Sequence, residues 1–188
     1  MTLVMILILV LGLLLWSVAH LFKRLAPEVR ARMGESGKGV VALALLVAIV
    51  LMVIGYRGWD SGVFLWYGNA ALTGINNLLM VVAVYLFAAS GMKTRITRVI
   101  RHPQLTAVKV WALAHLLVNG DLESLVLFGG LLAWAVVAVI LINRAQPTWT
   151  KPAPAPVGKE IGALVGAVVV TVAIGYAHVW FGLSPFGG

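Results

Sequence analysis

Residues 101–120 read RHPQLTAVKVWALAHLLVNG and carry His102 and His115, two of the chain's four histidines, on a single apolar stretch. The other two, His20 and His178, fall in separate apolar runs toward the two ends of the chain. An ionisable side chain inside such a run is costly and faces a partner, a cavity or a functional group. Neutral imidazole is a good ligand for haem iron and other transition metals, its second nitrogen oriented by a hydrogen bond. It also carries protons near neutral pH. There is no cysteine, which removes disulfides, thiolate nucleophiles, CxxCH haem attachment and Cys-ligated zinc or iron–sulfur centres. Chemistry in this chain is therefore built from histidine, arginine and a few amides.

His115 follows Trp111 by four residues, so the two share a helix face. Counted at roughly 1.5 Å per residue, His115 lies about 21 Å along its helix from Arg101, and His178 about 28 Å from Lys159. Depth thus pairs His115 with His178 in the outer half of the membrane, and His20 with His102 nearer the inner face. A bis-histidine haem site is met most easily by the outer pair. His102 stands between Arg101 and Pro103 at a helix start, where Arg98, Arg101 and free N–H groups could orient an anion. Three of the histidines have an ordinary alternative: His20 at an interfacial helix end beside Lys23, His102 at a basic loop–helix junction, His115 in an interhelical hydrogen bond. Asn76 and Asn77 point to different faces of one helix. In NGDLE, Asn119–Gly120 reads as a helix end and Asp121 as the N-cap of the next helix. Gly129, Gly130, Gly162 and Gly166 read as close-packing positions.

The elements that must position these groups are membrane spans. The chain of 188 residues is 62% apolar and 11% charged, with a mean hydropathy of +1.03, more apolar surface than a water-soluble domain can bury. A span needs about 20 mostly apolar residues. Leu3–Phe22, Val40–Tyr56, Ala70–Gly91, Pro103–Val118, Leu122–Ile142 and Ile161–Phe181 are the candidates, helical because backbone groups in hydrocarbon must pair within the segment. No basic residue precedes the first run and a stop-transfer-like basic stretch follows it, so it is expected to remain as a span rather than act as a signal peptide.

Lys23, Arg24, Arg30, Arg32 and Lys38 fall in the first connection, Lys93, Arg95, Arg98 and Arg101 in the third, and Arg144, Lys151 and Lys159 in the fifth. Lys and Arg collect on the cytoplasmic side. The expectation is an all-α polytopic helical bundle of six transmembrane helices with both termini on the non-cytoplasmic side. It forms one domain, 1–188, with a Pro-rich cytoplasmic linker over 143–160. The net charge of +8 follows from this topology and from contact with anionic lipid, not from nucleic-acid binding. Trp59, Trp66 and Tyr67 suit an interfacial belt, so part of Gly58–Thr73 is expected to lie in the membrane plane.

The stretch RHPQLTAVKVWALAHLLVNGDLESLVLFGGLLAWA, with WSVAHLFKRLAPEVRARMGESG near the amino end, resembles the NnrU family of bacterial membrane proteins, and the likeness runs over nearly the whole chain. The family is associated with denitrification and nitric-oxide metabolism, which implies the bacterial inner membrane and respiratory or denitrification proteins as partners. The family is in turn similar to 15-cis-zeta-carotene isomerase, a membrane enzyme carrying haem b. That similarity implies haem b as cofactor, with His20 and His115 at the ligand positions. A more distant similarity, in Arg101, His102 and Pro103, is to isoprenylcysteine carboxyl methyltransferases, which implies S-adenosylmethionine as an alternative cofactor. The departures are the absence of a glycine soon after RHP and Asn143–Arg144 where acidic residues would be wanted. Three readings follow: a haem protein supporting a redox or isomerase reaction, a methyltransferase-like enzyme, and a non-catalytic accessory factor.

Overall fold

The computed structural model describes residues 2–186. Its helices are α1 (Thr2–Leu25), α2 (Pro27–Arg32), α3 (Ser36–Gly58), α4 (Ala70–Met92), α5 (Pro103–Val118), α6 (Leu122–Ala145) and α7 (Val157–Trp180), with a 3₁₀ turn at Arg95–Arg98. Local chemistry accounts for many of these limits. Pro27 and Pro103 open α2 and α5 from the first turn, where a missing N–H costs nothing. Asn69 accepts the Leu72 N–H at 3.0 Å, and Asp121 accepts the Ser124 N–H at 2.7 Å, capping α4 and α6. Lys23 and Arg24 occupy the last turn of α1, where a helix end favours positive charge.

All six predicted helices are present, but only five are long and apolar enough to cross a bilayer. The exception is α5, whose 16 residues span roughly 24 Å against about 30 Å of hydrocarbon. Its length is set by Pro103 at one end and the tight Asn119–Gly120 turn at the other. The linker is also shorter than 143–160: residues 143–145 continue α6 and 157–160 open α7, leaving 146–156 without helix. The short α2 and the 3₁₀ turn carry no apolar periodicity that would mark them in the sequence.

α1 packs along α3, α4 along both α5 and α7, and α5 along α6, while α6 also touches α1 and α3. The α1–α3 pair is held close by glycine. A Cβ on Gly55 would lie 2.5 Å from the Leu9 backbone nitrogen, and one on Gly12 would lie 2.8 Å from that of Met52. Among the anticipated packing glycines, Gly130 meets Leu13 and Gly162 meets Met92. Gly129 has only ordinary contact, and Gly166 faces open space. The outer faces of the long helices expose Leu7, Leu14, Leu43, Leu46, Leu164 and Val169, an apolar surface suited to lipid.

Residues 59–69 form no helix. They cross the α5–α6 turn as an extended strap, with a bridge between Phe64 and Asp121. Leu65 N–H donates to the Gly120 carbonyl at 2.8 Å, Trp66 Nε1–H to the Leu116 carbonyl at 2.8 Å, and Ser61 to Glu123 at 2.6 Å. Replacing Asp121 with alanine removes the α6 cap. It is expected to cost about 1 kcal/mol, read as a small fall in thermal midpoint in detergent with the absorption spectrum unchanged.

Candidate functional site

A cavity of about 1050 Å³ lies between the α1–α3 pair and α5, α6 and α7. Its wall is mostly apolar and includes two histidines, His20 and His178, with Arg24 and Arg57 from the ends of α1 and α3. That volume reaches the upper end of ordinary small-molecule and cofactor pockets, about 300–1,000 Å³. The long helices are nearly all apolar, so polar atoms on this wall stand out.

His20 sits between two tryptophans. Its ring centroid is 4.2 Å from Trp16 on its own helix and 4.7 Å from Trp134 on α6. The two indoles meet edge-on at 5.5 Å. His115 is held in the same way by Trp111 at 5.0 Å and Phe128 at 4.5 Å. Trp111 lines the cavity, but His115 is not among the lining residues.

Three of the histidines share one hydrogen-bond pattern. Nδ1 of His20 meets the Trp16 carbonyl at 3.2 Å, that of His115 the Trp111 carbonyl at 2.9 Å, and that of His178 the Ile174 carbonyl at 2.8 Å. A carbonyl only accepts, so Nδ1 carries the proton and the neutral ring keeps its lone pair on Nε2. This is the arrangement required of a metal ligand oriented by its backbone. His102 differs: its Nε2–H donates to Asn143 Oδ1 at 2.8 Å. Arg101 donates to the carbonyls of Gln146, Pro147 and Thr148, so its guanidinium pins the start of the linker.

The partners on α6 give the depth of each ring. His115 contacts Phe128, His20 contacts Trp134, and His102 bonds Asn143. These partners are six and nine residues apart, roughly 9 Å and 13 Å along a helix axis. These three histidines therefore occupy three separate levels. His178 lines the cavity from α7, while His115 packs on Phe128 away from that wall. His20 and His102 do not meet, because His20 turns into the bundle between its tryptophans while His102 stays at the helix junction. Among the described residues, no group of three or more His, Cys, Asp or Glu side chains converges to hold a metal ion.

Trp16 and Trp134, which flank His20, are not marked by hydropathy or charge. One signal was there to find: WSVAH at 16–20 and WALAH at 111–115 share the pattern W-x-x-A-H, and IGYAH at 174–178 keeps the final A-H. The i−4 position supplies the carbonyl that orients each imidazole. The small residue before the histidine admits close packing; Ala114 is fully buried and Ala19 nearly so.

The chain belongs to the NnrU protein family, whose model matches residues 8–185 and so covers the whole cavity wall. No curated protein and no solved structure matches it.

Proposed function

We propose that this NnrU family protein crosses a bacterial cytoplasmic membrane six times, with both termini on the far side. In this reading it holds haem b in the cavity through Nε2 of His20, supporting a redox or isomerase reaction on a lipophilic molecule or nitrogen-oxide metabolism. The observation that carries the reading is an imidazole on the wall of a large apolar cavity, with Nδ1–H tied to a backbone carbonyl and Nε2 left for a ligand. Six crossings are supported by the charge of the odd-numbered connections; local bilayer thinning would accommodate the short α5.

The residues present fit this group. The Trp16 carbonyl selects the His20 tautomer, and the two indoles restrict ring rotation. Arg24, one turn beyond His20, brings a cation to the cavity wall for an acidic substituent. His178, on the α7 side of the same wall, is the second imidazole within the cavity. Bound haem would supply an iron centre whose reactivity is tuned by the imidazole that holds it and by its apolar surroundings.

Purified protein, expressed with a haem precursor, is expected to show a Soret band. A folded protein without one would overturn the reading. The S-adenosylmethionine reading has no supporting observation, because Arg101 and His102 are engaged with the linker and with Asn143. Titration calorimetry with S-adenosylmethionine is expected to give no binding heat; saturable heat would restore that alternative. A non-catalytic role beside respiratory or denitrification proteins would require recognition through the lipid-facing helices, tested by co-purification from native membranes.

A further inference from the structure

A second recess, of about 500 Å³, opens where the 3₁₀ turn meets the linker, and is lined by Arg95, Arg98, Val99, Lys151 and Pro154. Three of these five residues are cations. Among the described residues the ion-pair geometry is met only by Lys38 and Glu35, so none of the three is paired. Arg98 Nε is buried without a hydrogen-bond partner. Like charges gathered at a recess repel one another unless an anion joins them.

The convergence is built by tertiary contacts. Lys151 is remote in sequence from Arg98, and Arg101 folds the linker back by gripping the carbonyls of Gln146, Pro147 and Thr148. On the other side, Glu160 at the start of α7 accepts the Arg95 backbone N–H at 2.6 Å. The Glu160 carboxylate thereby anchors the turn and is not among the residues lining the recess. Val99 beside it is 76% exposed, and the recess lies at the ends of two long apolar helices, α4 and α7. A basic recess at this position combines the two features of an anionic lipid site, cations for the headgroup and apolar surface beside it.

We propose that Arg95, Arg98 and Lys151 form a binding site for a phosphate group, with an anionic phospholipid headgroup as its source. The site is independent of the haem reading. Arginine supplies planar donors to phosphate oxygens, and lysine adds a mobile point charge from the linker. Occupation would also tether the linker to the 3₁₀ turn.

The test measures binding of a fluorescent phosphatidylglycerol to the full-length protein in neutral detergent, with phosphatidylcholine and inorganic phosphate as competitors. The expected result is saturable binding, unaffected by phosphatidylcholine and weakened at least tenfold in Arg95→Gln/Arg98→Gln/Lys151→Gln. Lys151→Gln alone, an exposed change in the linker, is expected to weaken binding severalfold with the thermal midpoint unchanged. Arg30→Gln/Arg32→Gln/Lys38→Gln, with the same loss of charge elsewhere, is expected to bind as the unaltered protein does. Efficient competition by millimolar inorganic phosphate would retain the phosphate site but replace its source with the free ion. Equal weakening in both triple variants, or no change with Lys151→Gln, would overturn the proposal.

Discussion

Replacing His20 with alanine is expected to lower the haem-to-protein ratio at least tenfold at matched expression, while the protein remains folded. The ring packs between Trp16 and Trp134, so its removal also forfeits aromatic contact of about 1 kcal/mol. That loss alone does not unfold a bundle of this size. A structural role and a ligand role can be separated by chemistry. Imidazole added to the His20→Ala protein would enter the vacated space and restore the Soret band if His20 ligates iron; it would not do so if the ring merely fills volume. His102→Ala is expected to retain haem, because its Nε2–H is committed to Asn143.

His115→Ala is the discriminating variant. The ring is stacked on Phe128 and is not part of the cavity lining, so its loss should leave most of the haem in place. Loss of haem from the His115 variant, with retention by the His20 variant, would defeat the assignment to this cavity. His178→Ala, a change on the cavity wall, is expected to shift the absorption maximum more than the haem content. Unchanged spectra in that variant would remove His178 from the site.

The second large effect is expected at the α1–α3 contact. Gly55→Val places a branched side chain where a Cβ alone would be 2.5 Å from the Leu9 backbone nitrogen. Backbone cannot move aside as a flexible side chain does, so the helices must separate along their length. Overpacking of this kind costs about 3 kcal/mol, and a fall on the order of 10 °C in the thermal midpoint in detergent is expected. The same separation would open the cavity, since Met52 and Trp16 line it from this pair of helices. Gly166→Val is the matched control: nothing lies within 4 Å of its added Cβ, and its midpoint should stay near that of the unaltered protein. Equal destabilisation by both substitutions would mean that helix propensity, not the close approach, governs the contact.

The helices were legible in the sequence because a span is a local property. Twenty apolar residues, a proline at the first turn of α5 and an aspartate before α6 act through the backbone nearest to them, and no distant partner is needed to recognise them. The expected Pro103–Val118 helix and the Asp121 cap accordingly match the structure residue for residue.

The direction in which each ring points depended on tertiary structure. The rotation and tilt of a span are set by what it packs against, and the spans are apolar nearly all round, so periodicity gives little information about the inward face. Gly12 and Gly55 decide how α1 lies on α3, and this contact helps place the His20 face of α1 toward Trp134 and the cavity. His102 is drawn to Asn143, and Lys151 is carried to Arg98 by the grip of Arg101 on the linker. Sequence determined which segments form the apolar helices and which of them carry histidines. Packing between helices decided which imidazoles share a cavity, because close approach at glycine and aromatic contact fix azimuth, which composition leaves free.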